Sequence, residues 1–219
     1  MSAPSETQLV TFQEWRLRVR AARAQPARLL LLVHGWTGDE NSMWVFVRGF
    51  PADSWIVAPR APYVTQPNGY SWRVLDGRPG RPPGLQDLRP AAADLVALAD
   101  AYAASNGIDA HEFDAIGFSQ GAALVNVLAL LYPARVRRLG ILAGFVPAGA
   151  ESLVQNRPLQ GKPFFVAHGT QDEMVNIEEA RRSIQLLEQA GARVTFCQDE
   201  VAHKVSANCL RALEAFWLG

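Results

Sequence analysis

The stretch Phe113-Asp114-Ala115-Ile116-Gly117-Phe118-Ser119-Gln120-Gly121-Ala122-Ala123-Leu124-Val125-Asn126-Val127-Leu128-Ala129-Leu130-Leu131 decides the reading of this chain. Its first part, Phe113 to Gly117, is a short apolar run closed by a glycine. That is the pattern of a strand buried on both faces. Its last part, Gln120 to Leu131, is apolar nearly all round, as expected of a helix packed inside a protein rather than on its surface. Between them a serine sits in Gly117-Phe118-Ser119-Gln120-Gly121, in a turn so tight that its neighbours must be small.

The same alternation extends in both directions. Leu29 to Val33, Ser54 to Ala58, Leu139 to Ala143, Pro163 to Ala167 and Arg193 to Cys197 read as further strands. Leu88 to Ala104 reads as a helix, with Leu88, Ala92, Leu95, Ala99 and Tyr102 on one stripe and Asp94 and Asp100 turned away. Ile177 to Ala190 and Val205 to Trp217 have the same period, and the former stops at Gly191. Apolar strands alternating with helices predict an α/β fold, a mostly parallel central sheet covered by helices on both faces. Gln8 to Arg20 alternates more strictly and is expected as an antiparallel strand or hairpin at the sheet edge. Arg60 to Gly84, rich in Pro, Gly and Arg, is the one long irregular stretch, and it falls where ligands bind in such sheets.

Composition narrows the function classes. The 219 residues are 49% hydrophobic, enough for one core in a single domain spanning residues 1–219. Lys+Arg and Asp+Glu both number 21, so there is no surplus positive charge for a nucleic-acid partner. Met1 to Val10 has no signal-peptide pattern, and no apolar run approaches the roughly 20 residues that span a bilayer. Cys197 and Cys209 show no metal-ligand spacing. They are expected as free thiols in a cytoplasmic protein, with alanine tolerated at either position.

The chemistry centres on Ser119. A serine at a strand–turn–helix junction can act as a nucleophile if a base takes its proton and an acid orients the base. In this architecture the order should be serine, acid, histidine. Of His34, His111, His168 and His203, only His203 leaves room for an acid between itself and the serine. His168 is expected to shape a loop, and His111 to be exposed. Asp172, just beyond the strand Pro163 to Ala167, is the expected acid. Glu173 is its rival, and Asp199 and Glu200 are reserves. The oxyanion would be held by the backbone N–H of Gln120 and by that of Trp36, in the turn His34-Gly35-Trp36-Thr37-Gly38-Asp39. Trp44, Trp72, Phe145, Met174 and Val175 are candidates for an apolar substrate site beside Trp36.

These residues resemble the phospholipase/carboxylesterase family of the α/β-hydrolase superfamily, which includes the acyl-protein thioesterases. The likeness rests on His34-Gly35, Tyr70-Ser71-Trp72, Gly117-Phe118-Ser119-Gln120-Gly121, His168-Gly169 with Asp172 and Val175, and His203, and runs over nearly the whole chain. It implies an α/β-hydrolase fold without a large cap domain, since Ala143 to Lys162 is too short to hold one. It implies a serine carboxylesterase with catalytic Ser119, Asp172 and His203, no metal and no cofactor. The substrate would be a small-molecule ester, hydrolysed through an acyl-enzyme by a monomer or homodimer. Acyl thioesterase or lysophospholipase activity is the alternative, and a non-catalytic ligand-binding role a remoter one. Two departures stand out: Ala202 replaces the glycine usual before the histidine, and Thr37 is an extra residue in the oxyanion turn. The second weighs against a thioester substrate.

Overall fold

The structure is a computed structural model and describes residues 7–66, 68–74 and 81–219. The first residues of the Met1 to Val10 start and part of the Arg60 to Gly84 stretch therefore lie outside the described residues.

The elements are β1 (Gln8–Phe12), β2 (Trp15–Arg20), β3 (Arg28–Val33), β4 (Ser54–Pro59), β5 (Tyr63–Val64), β6 (Tyr70–Ser71), α1 (Leu85–Asn106), β7 (Asp109–Phe118), α2 (Gln120–Leu131), β8 (Val136–Leu142), β9 (Pro163–Gly169), α3 (Ile177–Gln189), β10 (Arg193–Asp199) and α4 (Ala207–Leu218). Eight strands form one sheet in the order β1-β2-β4-β3-β7-β8-β9-β10. From β4 to β10 all pairings are parallel, while β2 joins β4 and β1 antiparallel. The alternating N-terminal segment is thus a hairpin at the edge. It turns at Gln13-Glu14, where Gln13 adopts φ 52°.

The period of two along β3 divides the core. Leu29, Leu31 and Val33 face a layer built with α1, α2 and α3, while Leu30 and Leu32 face a layer completed by α4 and the turn at Trp44–Val47. All five are buried, and each full burial of such a side chain contributes about 1.5–3 kcal/mol. Helix α1 starts at Leu85, ahead of the expected Leu88, because Asp87 accepts the Gly84 N–H at 2.8 Å and caps the first turn. Its expected stripe is buried throughout. No helix among the described residues is long and apolar enough to cross a membrane.

After β3 the chain moves to β4 on one side and returns to β7 on the other, which creates a crevice at the carboxyl ends of β3 and β7. The His34 and Ser119 turns both open there. One expectation fails. Cys197 and Cys209 are not free thiols but a disulfide joining β10 to the first turn of α4. The chain doubles back between strand and helix, which brings together two side chains whose spacing in sequence carries no such information.

Candidate active site

Ser119 lies between the last residue of β7 and the first of α2, with φ 53° and ψ −116°. A non-glycine residue held in such a region costs on the order of 1–3 kcal/mol and persists only when its surroundings fix it. Here the Ser119 N–H donates to Leu142 O at 2.9 Å and the Ala123 N–H donates to Ser119 O at 3.0 Å. The following glycine is sterically required, since a Cβ on Gly121 would stand 2.0 Å from Val33 O. This close passage of α2 over β3 aims the Ser119 hydroxyl out of the sheet.

His203 reaches Ser119 from the loop between β10 and α4. Its Nε2 lies 2.9 Å from Ser119 Oγ and its Nδ1 lies 2.7 Å from Asp172 Oδ2. A carboxylate only accepts, so Nδ1 carries the proton and Nε2 is free to accept from the serine. Asp172 follows β9 and is buried. Its Oδ1 accepts from the N–H groups of Met174 and Val175, both at 2.9 Å. These two donors fix the orientation of the carboxylate. Glu173 is exposed, and Asp199 accepts from the Glu200 N–H rather than from His203.

His168 has a larger part than loop shaping. Its Nε2–H donates to Val175 O at 2.8 Å and lies 3.4 Å from Asp172 Oδ2, so it braces the acid loop from inside. Its neighbour Gly169 lets the histidine loop come close, for a Cβ there would meet Val201 O at 2.1 Å and Ala202 O at 2.3 Å. His111 is exposed, as expected.

The turn after β3 abuts the serine, and a Cβ on Gly35 would be 3.3 Å from that of Ser119. Among the described residues, the backbone N–H groups of Trp36 and Gln120 donate to no main-chain acceptor outside their own elements, while Thr37 N–H donates to Tyr70 O. His34 anchors this turn. It donates from Nδ1 to Gly35 O at 2.7 Å and accepts the Ala61 N–H on Nε2 at 3.1 Å. Burial pushes its pKa below the ordinary histidine range, so it stays neutral.

An ion pair between the buried Glu40 and the half-buried Arg60 braces the turn from behind. Arg60 grips Glu40 through Nε and Nη2, both at 2.7 Å, and gives Nη1–H to the Tyr70 hydroxyl. Burial pushes the Glu40 carboxyl up, but the Arg60 hydrogen bonds and charge outweigh it and hold the pKa below its usual value. A depressed carboxylate contributes stability that is present above its unfolded pKa and lost as pH falls through the folded one. Glu40→Gln should therefore cost about 2 kcal/mol near neutral pH, as for a hydrogen bond to a charged group. Thermal melts of the two proteins should converge below the ordinary carboxylate range. A gap of equal size at acid pH would refute the role of the charge.

The Gln120 side chain is a link the sequence reading missed. Its Oε1 accepts the Trp72 N–H at 2.9 Å and its Nε2–H donates to Ser71 Oγ at 3.1 Å. It thereby ties the long loop to the turn holding Ser119. Gln120→Ala leaves buried partners unsatisfied, at about 1–3 kcal/mol each, but keeps the backbone N–H. We expect a lower Tm with kcat reduced by less than the ~10²–10³ that deletion of an oxyanion donor costs. Unchanged Tm in a melt would show that the link carries no load.

The aromatic candidates divide. Trp36 is 46% exposed and Met174 68%, both at the rim, with Val175 half-buried beside Asp172. Trp44 is half-buried and donates from Nε1 to Glu40 O. Phe145 packs against the core, and Asn126 donates to its carbonyl. Trp72 is corrected. At 1% exposure it belongs to the core, donating from Nε1 to His34 O at 2.8 Å, because its long side chain fills the space under the turn. Two rings not singled out from sequence form a stack beside His203. Phe118 stacks on Phe46 at 5.9 Å between centroids and lies 5.2 Å from the His203 ring. A cleft lined by Tyr63, Trp72, Arg73, Val74 and Asp87 runs beside the long loop and does not include Ser119. Among the described residues, no cluster of three or more His, Cys, Asp or Glu side chains could hold a metal ion.

The sheet order and the turn carrying Ser119 define an α/β-hydrolase fold. Over 97% of this chain and 99% of the other, the fold matches a carboxylesterase from Mesorhizobium loti with a TM-score of 0.82 at 23% identity. A model of the phospholipase/carboxylesterase family matches residues 16–217, and the chain belongs to that family. The carboxylesterase SOBER1 of Arabidopsis thaliana is 30% identical over 174 residues, covering 74% of this chain and 75% of that one. An acyl-protein thioesterase 1 from the yeast Debaryomyces hansenii is 30% identical over 193 residues, covering 78% and 81%. The family supports ester or thioester hydrolysis.

Proposed function

We propose that this protein is a serine carboxylesterase acting on small to medium acyl esters, with Ser119 as nucleophile, His203 as base and Asp172 as the group that orients the base. The observation that carries the proposal is the unbroken hydrogen-bond chain from Ser119 Oγ through His203 to Asp172, at 2.9 and 2.7 Å. His203 Nε2 takes the serine proton as Oγ attacks the ester carbonyl, and Asp172 stabilises the imidazolium that forms. The backbone N–H groups of Trp36 and Gln120 receive the developing oxyanion, and Gln120 is the first residue of α2, where the helix dipole adds to the attraction. His203 then hands its proton to the leaving alcohol, leaving an acyl-Ser119 ester. A water activated by the same histidine releases the acid and restores the hydroxyl. The exposed apolar rim of Trp36 and Met174 suits the acyl or alkyl group of the ester.

A fluorophosphonate probe should label Ser119 stoichiometrically, and a series of nitrophenyl esters run beside acyl thioesters of equal chain length should show higher kcat/KM for the esters. Preference for the thioesters would move the assignment to the thioesterase named among the relatives. Failure to label would leave the ligand-binding reading. A cytoplasmic location, expected from the sequence, has the disulfide against it, and cell fractionation decides it.

A further inference from the structure

We propose that the Cys197–Cys209 disulfide is a positioning element for His203, so that turnover depends on the oxidation state of this bond. The inference rests on the roles of Ser119 and His203 proposed above. His203 stands midway along the 12-residue separation between the two cysteines. Cys197 lies on β10, the edge strand of the sheet, which pairs with β9 alone among the described strands. Cys209 lies in the first turn of α4, where its N–H donates to the capping Ser206 Oγ. The bond therefore closes the base of the loop that carries the histidine.

Other restraints on this loop are unevenly placed. On its strand side, Thr170 and Gln171 donate to Asp199 O and Val201 O. On its helix side, the Lys204 N–H donates only within the loop, to Ala202 O, and the Ser206 bond lies within the helix cap. Between Ala202 and α4 the ties to the rest of the fold are the packing of Val205, the contacts of the His203 ring and the disulfide. Without the disulfide, no cross-link holds the start of α4 to the end of β10, and a small shift between them is opposed by the packing of α4 side chains such as Leu213 and Trp217 in their core layer. Displacement of a catalytic group by about 1 Å can cost ~10²-fold in rate, and the 2.9 Å separation of His203 Nε2 from Ser119 Oγ has no such margin.

The bond is open to exchange from one side. Cys209 is 2% exposed and Cys197 is half-buried on the edge strand, so exchange with a small dithiol would begin at Cys197. Reduction consumes two electrons and two protons. The dithiol supplies both and closes to its own disulfide, while Cys197 and Cys209 become thiols.

The test compares oxidised protein, protein reduced by dithiothreitol with both thiols counted, and the Cys197→Ala/Cys209→Ala variant, all below the lowest of their melting temperatures. Reduced protein and double variant should keep the circular dichroism of the oxidised form. Their kcat on a nitrophenyl ester should fall about tenfold or more with KM within twofold, and the fluorophosphonate labelling rate of Ser119 should fall in parallel. Reoxidation should restore the reduced protein, and dithiothreitol should leave the variant unchanged. A kcat within twofold of the oxidised value in both would overturn the proposal. So would a loss of activity that tracks loss of the folded signal, because the bond would then be only a staple of the fold. Oxidised protein that neither turns over ester nor takes up the probe would instead sink the esterase reading.

Discussion

Asp172→Asn is expected to lower kcat by about 10⁴-fold in a protein that folds normally, the size of effect seen when a triad acid becomes its amide. The structure says why. Oδ1 of Asp172 faces two backbone donors, the N–H groups of Met174 and Val175. An asparagine must direct its carbonyl oxygen to them, which leaves its amide nitrogen at the position of Oδ2. That nitrogen donates where the carboxylate accepted. His203 Nδ1 then becomes an acceptor, its proton moves to Nε2, and Nε2 can no longer accept from Ser119. His168, whose Nε2–H already lies 3.4 Å from the same position, offers the amide no compensating acceptor. Kinetics on a nitrophenyl ester, with a melt to establish folding, checks this. Activity within tenfold of the parent would mean that Asp172 does not set the tautomer and that Asp199 or Glu200 must be re-examined.

The larger effect belongs to Ser119→Ala. If Ser119 is the nucleophile, no acyl-enzyme can form. What remains is the rate supplied by the oxyanion donors and by substrate binding, a residual ~10³–10⁴ over water. Relative to the parent the expected loss is about 10⁶-fold in kcat. The substitution removes one oxygen from a half-buried site, and alanine retains the Cβ that Ser119 already carries at φ 53°. Stability should therefore change little, and the fluorophosphonate probe should no longer label the chain. Hydrolysis near the parent rate in a folded Ser119→Ala protein would be fatal to the proposed mechanism.

Much of this site is legible in the chain because its demands are local. Apolar runs such as Leu29 to Val33 can only be satisfied by burial on both faces, so they read as strands without tertiary knowledge. The Gly-Phe-Ser-Gln-Gly turn needs small neighbours within two residues of the serine, and that need is written within the motif. Chain order then makes His203 the expected base and ranks Asp172 first among the expected acids, and the structure sets His203 between Ser119 and Asp172. The Gln8 to Arg20 alternation announces an edge element, though the hairpin itself depends on a two-residue turn with no glycine to mark it.

What tertiary structure alone decided are pairings between segments far apart in sequence. Gln120 reads as a donor of its backbone N–H, yet its side chain bridges to Ser71 and Trp72, 49 and 48 residues away. Trp72 reads as a substrate contact and lies instead in the core under His34. His168 reads as a loop residue and stands behind Asp172. Cys197 and Cys209 read as thiols and are bonded across the loop that carries His203. Each of these partners is chosen by where the sheet order delivers a loop, and a side chain carries no local signal of what will be packed beside it. Periodicity and turn chemistry are properties of neighbours along the chain, so the sequence by itself determined the strands, the helices and the serine's turn. Cross-loop contacts are properties of neighbours in space, and only the folded topology creates them.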